Sequence, residues 1–260
     1  MKPPLTYYGG KQKLSERIIS LIPKHRIYCE PFFGGGAVFF AKPPAEIEVI
    51  NDTNGELINF YRVLKTDYNK LAKEIKGTLH SKEEHQTAEV IMKHPKLFNE
   101  VRRAWAIWTL ANQSYASKLG GTWRCDFKEN STTSRLTNKR NNFTEEYAKR
   151  LEQVQIDNRD ALKVIELWDT KESLFYCDPP YFNSNMGHYK GYTEQDFENL
   201  LKTLSEIKGK FILSSYPSEL LEKYTKKYKW NNVKIEDILV SVSIDKHKLK
   251  TEVLTSNFNP

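Results

Sequence analysis

Leu174-Phe175-Tyr176-Cys177-Asp178-Pro179-Pro180-Tyr181 opens with four apolar residues in a row. Such a run reads as a strand buried on both faces of a parallel sheet. Pro179 and Pro180 then end it, because neither can donate to a sheet ladder and both fix φ. The quartet Asp178 to Tyr181 is therefore placed just past the carboxyl end of a central strand, the edge at which open α/β sheets bind ligands. Asp178 brings a carboxylate, and the carbonyl of Pro179 is an acceptor held in a defined direction by the ring that follows. Two acceptors suit an exocyclic amine with its two N–H donors. Tyr181 presents a flat face for stacking a base, worth about 1–3 kcal/mol in comparable pairs. The plainer alternative is a turn after a strand, with the acid as a cap and the tyrosine as filler.

Working outward, Val154-Gln155-Ile156 reads as a strand with Asp157 and Asp160 at its end, followed by a helix from Ala161 to Trp168. Beyond the quartet, residues 182–192 are polar and contain glycine, so they are expected to form a loop able to close over a substrate. A capped helix is predicted over 193–207, with Glu194 and Asp196 in its first turn. Lys210 to Ser214 reads as a further strand. Residues 235–244 and 252–258 alternate and read as an antiparallel pair joined through Lys246-His247-Lys248.

Toward the N-terminus, Tyr7-Tyr8-Gly9-Gly10-Lys11 permits a tight turn or a close backbone approach to a ligand. Leu14, Ile18, Ile19 and Ile22 then mark an amphipathic helix ending before Pro23. Ile27 to Pro31 is a short strand, Phe32-Phe33-Gly34-Gly35-Gly36 a glycine turn, and Ala37 to Phe40 a helix start. Strand, glycine turn, helix is the dinucleotide-type arrangement, but Phe39 stands where a nicotinamide or flavin fingerprint has its third glycine. No Gly-Lys-Ser/Thr follows, which excludes a triphosphate loop. An adenosine ligand without a pyrophosphate fits what is left. Glu48 to Asp52 is a second strand, and Asp52 lies 16 residues past Gly36, near the spacing of a ribose-binding acid. Asp52 is also placed to cap the helix predicted over 55–65.

The 260 residues are 39% hydrophobic and 12% aromatic, the composition of a globular chain large enough for one large domain or two unequal ones. A net charge of +7 favours a polyanionic partner, nucleic acid before membrane. Cys29, Cys125 and Cys177 are odd in number and widely spaced, giving neither a disulfide framework nor a zinc motif, and no metal is expected. Cys29 and Cys177 fall in predicted core strands. No run is long enough to span a bilayer and the start lacks an apolar leader, so a cytoplasmic location of bacterial or phage type is expected. Residues 54–66 and 67–114 are mainly helical, with Leu97, Val101, Trp105, Trp108 and Leu110 read as core. Residues 115–143 lose this periodicity and carry Lys118, Arg124, Lys128, Arg135, Lys139 and Arg140 against only Asp126 and Glu129. With Tyr115 and Trp123 interleaved, the stretch suits nucleic-acid contact; a solvated loop is the other reading.

The full order is aromatic-Gly-Gly-Lys, then Glu-Pro-Phe-x-Gly-x-Gly, then Asn-Asp, a basic insert and Asp-Pro-Pro-Tyr. It resembles the Dam-type, D12-class family of DNA N6-adenine methyltransferases over residues 5–65 and 154–258. The resemblance implies an α/β fold with a Rossmann-like S-adenosylmethionine-dependent sheet, antiparallel C-terminal strands and a smaller, mainly helical target-recognition domain. It implies a catalytic domain of residues 1–65 and 151–260 and a DNA target-recognition insert of 66–150. Tyr7 and Lys11 match the family's N-terminal cofactor-binding pair, Phe32, Gly34 and Gly36 its loop against the methionine part, and Asp52 its ribose-binding acid. Asp160 stands near where the family has an acid beside the cofactor adenine. Asp178, Pro179, Pro180 and Tyr181 match the catalytic motif, whose Asp also lies beside the cofactor. The implied cofactor is S-adenosylmethionine and the implied partner double-stranded DNA, with a cognate restriction endonuclease left open.

The insert departs from the family. Asn112-Gln113-Ser114-Tyr115 lies where a recognition segment should begin, and Phe143 is not followed by the family's Pro or Gly. A GATC target does not follow. Rival readings are cytosine N4 in DNA, adenine in RNA, a protein glutamine, or a non-catalytic DNA-binding relative.

Overall fold

The computed structural model describes residues 1–127, 130–182, 191–241 and 247–260. Lys128, most of the 182–192 loop and Lys246 lie outside the described residues. Seven strands build one sheet: β1 Ile27–Glu30, β2 Ile47–Asn51, β3 Gln155–Asp157, β4 Ser173–Cys177, β5 Lys210–Ser215, β6 Asn231–Ser241 and β7 His247–Ser256. Their order is β3-β2-β1-β4-β5-β7-β6. β1 runs parallel to β2 and β4, and β4 parallel to β5, while β7 is antiparallel to both β5 and β6. This is the expected α/β, Rossmann-like sheet with antiparallel C-terminal strands. His247 and Lys248 belong to β7, paired with Ser241 and Val240, and not to a turn.

The described residues form two compact units. One comprises Arg17–Phe33, Pro44–Asn51 and Arg159–Pro260, the other Met1–Glu16, Gly34–Pro43 and Asp52–Asn158. In the first, here the sheet unit, side chains alternate between faces along each strand. Cys29, Val49, Phe175, Cys177, Phe211, Leu213 and Val253 share one face and pack with Phe197, Leu200, Leu201 and Leu204 of helix Glu194–Glu206. That helix begins with a capping box, Thr193 and Asp196 each bonding the other's backbone N–H. Cys29 and Cys177 are buried, as their strand positions predict. The other face carries Tyr28, Glu30, Glu48, Tyr176, Ser214 and Glu252, all buried.

The second, helical unit contains helices Gly55–Thr66, Tyr68–Gly77, Lys82–Lys93, Glu100–Gln113, Ser131–Asn141 and Glu146–Leu151. Trp105 and Trp108 are core, as their spacing predicts, and the Trp105 indole N–H reaches Thr78 Oγ1 at 2.7 Å. Leu97, in contrast, is 78% exposed, because Pro95 starts a 3₁₀ turn that takes it out of the helical register. Helix Ser131–Asn141 falls in the stretch read as aperiodic. It buries only Thr132 and Leu136, one turn apart, which is too thin an apolar stripe to show in a sequence.

Candidate active site

Asp178 follows the last residue of β4, with Pro179 buried behind it. The chain turns so that the Tyr181 hydroxyl comes back to Asp178 Oδ1 at 3.2 Å. The same hydroxyl donates to Glu252 Oε1 of β7. Ser214 Oγ, at the end of β5, donates to that Glu252 oxygen at 2.5 Å and lies 3.4 Å from the Tyr181 hydroxyl. The pairing of β5 with β7 sets Ser214 opposite Leu254, so Ser214 and Glu252 share a face at neighbouring positions. Burial, followed by the charges of Asp178 and Glu252, pushes the Tyr181 phenol far above its ordinary range. It therefore stays a proton donor. The Tyr181 ring meets Tyr216 edge-on, with centroids 4.4 Å apart. Pro180, Tyr181, Phe182, Phe197, Ser215 and Tyr216 line a shallow cleft beside it.

Glu252 and Ser214 are partners that the sequence reading missed. The available signal was an acid directly before the apolar pair Val253-Leu254, at a strand position where burial disfavours a carboxylate. Tyr28 and Glu30 repeat that signal on β1, bonded at 2.6 Å. Burial and then the Glu30 charge raise the Tyr28 phenol strongly. Cys177 borders Asp178 but is held as a thiol, its pKa raised by burial and then by the Asp178 charge, so it is no nucleophile.

In the helical unit the glycine turn is built on Asp52. Its Oδ2 accepts the Gly34 N–H and its Oδ1 the Asn54 N–H, both at 2.9 Å. Asn54, not Asp52, caps helix Gly55–Thr66, accepting from Glu56 and Leu57. Burial raises the Asp52 pKa, and the two backbone N–H donors hold it down in part. Gly34 has φ +50°, and a Cβ on Gly35 would lie 2.8 Å from Tyr7 Cβ. The first needs a left-handed backbone and the second has no space for a side chain. Tyr7, Gly34 and Asp52 are thus brought together, with the Tyr7 phenol raised by burial and then by the Asp52 charge. Lys11 is buried, with Nζ 3.2 Å from the Gly9 carbonyl. Gly36, at φ +66°, starts helix Ala37–Ala41. In the sheet unit, Phe32 packs on the apolar cluster. Asp160 uses Oδ1 to cap helix Ala161–Trp168, at 3.0 and 3.3 Å from the Leu162 and Lys163 N–H groups.

The family model of the D12 class N6 adenine-specific DNA methyltransferases matches residues 7–252. The chain belongs to that family. The enzyme is 26% identical over 279 residues to the type II methyltransferase M1.LlaDCHI of Lactococcus lactis subsp. cremoris, covering 99% of this chain and 96% of that protein. It is 29% identical to the type II methyltransferase M.MjaIII of Methanocaldococcus jannaschii, over 76% of each. It is 25% identical to a DNA adenine methylase of Haemophilus influenzae, over 96% of this chain and 90% of that one. Adenine-specific DNA methylation is accordingly its reaction.

Cations of the methyltransferase's basic stretch are tied to the fold, Lys139 among them, its Nζ donating to the Pro3 carbonyl at 3.4 Å. Arg140 is tied inward, its Nη1 donating to the Thr78 carbonyl at 2.7 Å. Lys139 is crowded by Lys2 and Arg135; burial first, and then these cations, bring its ammonium down to about 8. Arg135 is lowered by burial and then by Arg124. Arg124 lies 3.6 Å from Asp126, and Lys118 sits over the Tyr8 ring at 5.3 Å. Tyr115 is exposed, but Trp123 packs on His80 with ring centroids 5.1 Å apart. Gln113 is scaffold: its amide donates to the Leu79 carbonyl at 2.8 Å and accepts from Ser81 and Trp123.

Proposed function

We propose that the methyltransferase acts on an adenine turned out of double-stranded DNA, with Asp178, Pro179, Pro180 and Tyr181 as its catalytic residues. The Asp178 carboxylate and the Pro179 carbonyl accept the two hydrogens of the adenine amino group. This localises the nitrogen lone pair and aims it at the methyl donor. The Tyr181 ring stacks the base, offsetting part of the few kcal/mol that unstacking costs. Direct displacement then rests mainly on positioning. The observation that carries this reading is Asp178 at the carboxyl end of β4 with the Tyr181 hydroxyl returned to its carboxylate.

S-adenosylmethionine supplies the methyl group when bound. The helical unit's residues fit such a cofactor: Asp52 spends one lone pair of each oxygen on a backbone N–H, which leaves acceptor capacity for two ribose hydroxyls. The tight approach of Tyr7 to the glycine turn gives that edge a bare backbone. We assign cofactor binding to Tyr7, Lys11, Phe32, Gly34, Gly36, Asp52, Asp160 and Asp178. We assign the catalytic domain to residues 1–65 and 151–260 and target recognition to 66–150. Lys118, Arg124, Arg135 and Lys139 contact DNA phosphate, a reading supported by the crowding of Arg135 by Arg124 and of Lys139 by Lys2 and Arg135. The type II names of two relatives support a cognate restriction endonuclease.

The test is modification-aware sequencing of DNA from cells expressing the chain, beside cells expressing Asp178→Ala. N6-methyladenine in one short motif, lost in the variant, is the expected result. Continued methylation by the variant would sink the mechanism.

A further inference from the structure

The Tyr181 hydroxyl has one proton and two carboxylates to give it to. Asp178 Oδ1 lies 3.2 Å away, and Glu252 Oε1 is the nearer acceptor. A phenol donates one hydrogen bond at a time. Its pKa, raised by burial and the two acids, keeps that proton on the ring oxygen, so the choice between acceptors persists. Glu252 is 4% exposed and takes a second hydrogen bond from Ser214 Oγ at 2.5 Å, which fixes the carboxylate in place. The apolar neighbours on β7, Val253 and Leu254, are each 2% exposed, so a buried acid at this position is costly unless it is bonded.

We infer that Glu252 is a positioning residue that draws the Tyr181 proton onto itself and so keeps it off Asp178. This rests on the reading of Asp178 as the acceptor of the adenine amine. A carboxylate oxygen already taking an O–H has one lone pair fewer, and less negative charge, to offer an incoming N–H. With Glu252 in place, Tyr181 points its proton away from the reacting acid, and the same contact holds the stacking ring at its far end. Ser214 sets the Glu252 oxygen that receives the proton.

The consequence is a rescue. Glu252→Ala removes the nearer acceptor and frees the Tyr181 proton for Asp178 at 3.2 Å, with Ser214 Oγ the longer alternative at 3.4 Å, so single-turnover methyl transfer should fall at least tenfold below that of Tyr181→Phe. Tyr181→Phe removes the proton altogether. The double variant should therefore return to the rate of Tyr181→Phe alone, a gain on adding a second substitution. The measurement is single-turnover transfer of labelled methyl from S-adenosylmethionine to duplex DNA carrying the enzyme's own motif, with thermal unfolding of each variant alongside. If the double variant is as slow as Glu252→Ala, or slower, the inference is overturned. Equal rates for all three variants overturn it too, since Glu252 would then only anchor the ring. If Glu252→Ala does not fold, Glu252→Gln carries the same test, because an amide oxygen is a weaker acceptor than a carboxylate. Its loss should be about threefold by that weaker bond and should cancel when Tyr181 is Phe; a loss that persists counts against the inference. Asp178→Ala separates the two levels. Transfer that survives it refutes the role of Asp178, whereas its loss without a rescue refutes only that of Glu252.

Discussion

Two acids of this enzyme sit beside a tyrosine, and they are held by opposite means. Asp52 is fixed by main-chain donors, the N–H groups of Gly34 and Asn54. Asp178 sits in a web of side chains, with the Tyr181 hydroxyl 3.2 Å from it and shared with Glu252, and Ser214 bonded to Glu252. A main-chain cradle depends on the path of the backbone and tolerates little change at its glycines. A side-chain web depends on residues from separate strands and can be rewired one proton at a time. On the proposed roles, the comparison sets a site for holding against one for aiming.

The sharpest way to break that contrast is at the acids themselves. Asp178→Ala should lower single-turnover transfer on the order of 10²–10³-fold or more, the scale of losing a group that acts in the transition state. DNA affinity by fluorescence anisotropy should stay within about threefold, because phosphate contacts dominate it. Asp52→Ala should act on binding instead, weakening S-adenosylmethionine roughly 10- to 100-fold in calorimetry, as expected for lost hydrogen bonds to a charged group. Equal effects of the two variants on binding and rate would erase the distinction.

Asp52 also carries a pH signature. Burial raises its pKa, so the folded chain holds that proton more readily than the unfolded chain. Its contribution to stability is present below the ordinary carboxylate range and is lost as pH rises through the raised value. Denaturant unfolding between pH 4 and 8 should show Asp52→Asn flattening that fall. A steeper fall in the variant would contradict the burial.

Gly35→Ala probes the cradle's tightness. The new Cβ would stand 2.8 Å from Tyr7 Cβ. Neither atom can swing aside, so a loss of about 1–3 kcal/mol of stability is expected. Tyr7→Gly in the same chain should recover part of it, since it removes the opposing Cβ, whereas Tyr7→Ala keeps that atom.

The smallest effects separate Lys139 from Arg140. Lys139→Ala should reduce the slope of log affinity against log salt by about one, while Arg140→Ala should leave the slope alone and lower the unfolding midpoint. Since the Lys139 ammonium is brought down to about 8, folded protein binds fewer protons here than unfolded protein from that pH up to the ordinary lysine range. Stability therefore rises with pH across that window. DNA phosphate favours the ammonium, so affinity should drop as pH passes about 8, and Lys139→Ala should remove that drop.

How much was legible follows the same division. The parallel strands, the glycine turn and Asp-Pro-Pro-Tyr announce themselves because each is a contiguous stretch whose backbone demands show in residue type. Asp52 stands out by its spacing from Gly36, although its bracing of the Gly34 N–H leaves no such mark in the sequence. Glu252 and Ser214 could not be found by spacing. They meet Tyr181 only through the antiparallel register of β5 and β7, at separations of 71 and 33 residues. Helix Ser131–Asn141 was hidden for a different reason: with two buried side chains it has almost no amphipathic signal. The inward tie of Arg140 was equally invisible, since composition counts charges and does not show what they touch.

The crowding of Gly35 by Tyr7 reaches beyond stability. Two positions 28 residues apart in the chain share one volume large enough for a single side chain. Within related sequences they cannot drift independently: a lineage that gains a side chain at Gly35 must first give up the one at position 7. The aromatic-Gly-Gly-Lys and glycine-turn segments, read along the chain as separate motifs, are then one inherited unit. A graft that moves either into another scaffold without its counterpart carries half a part.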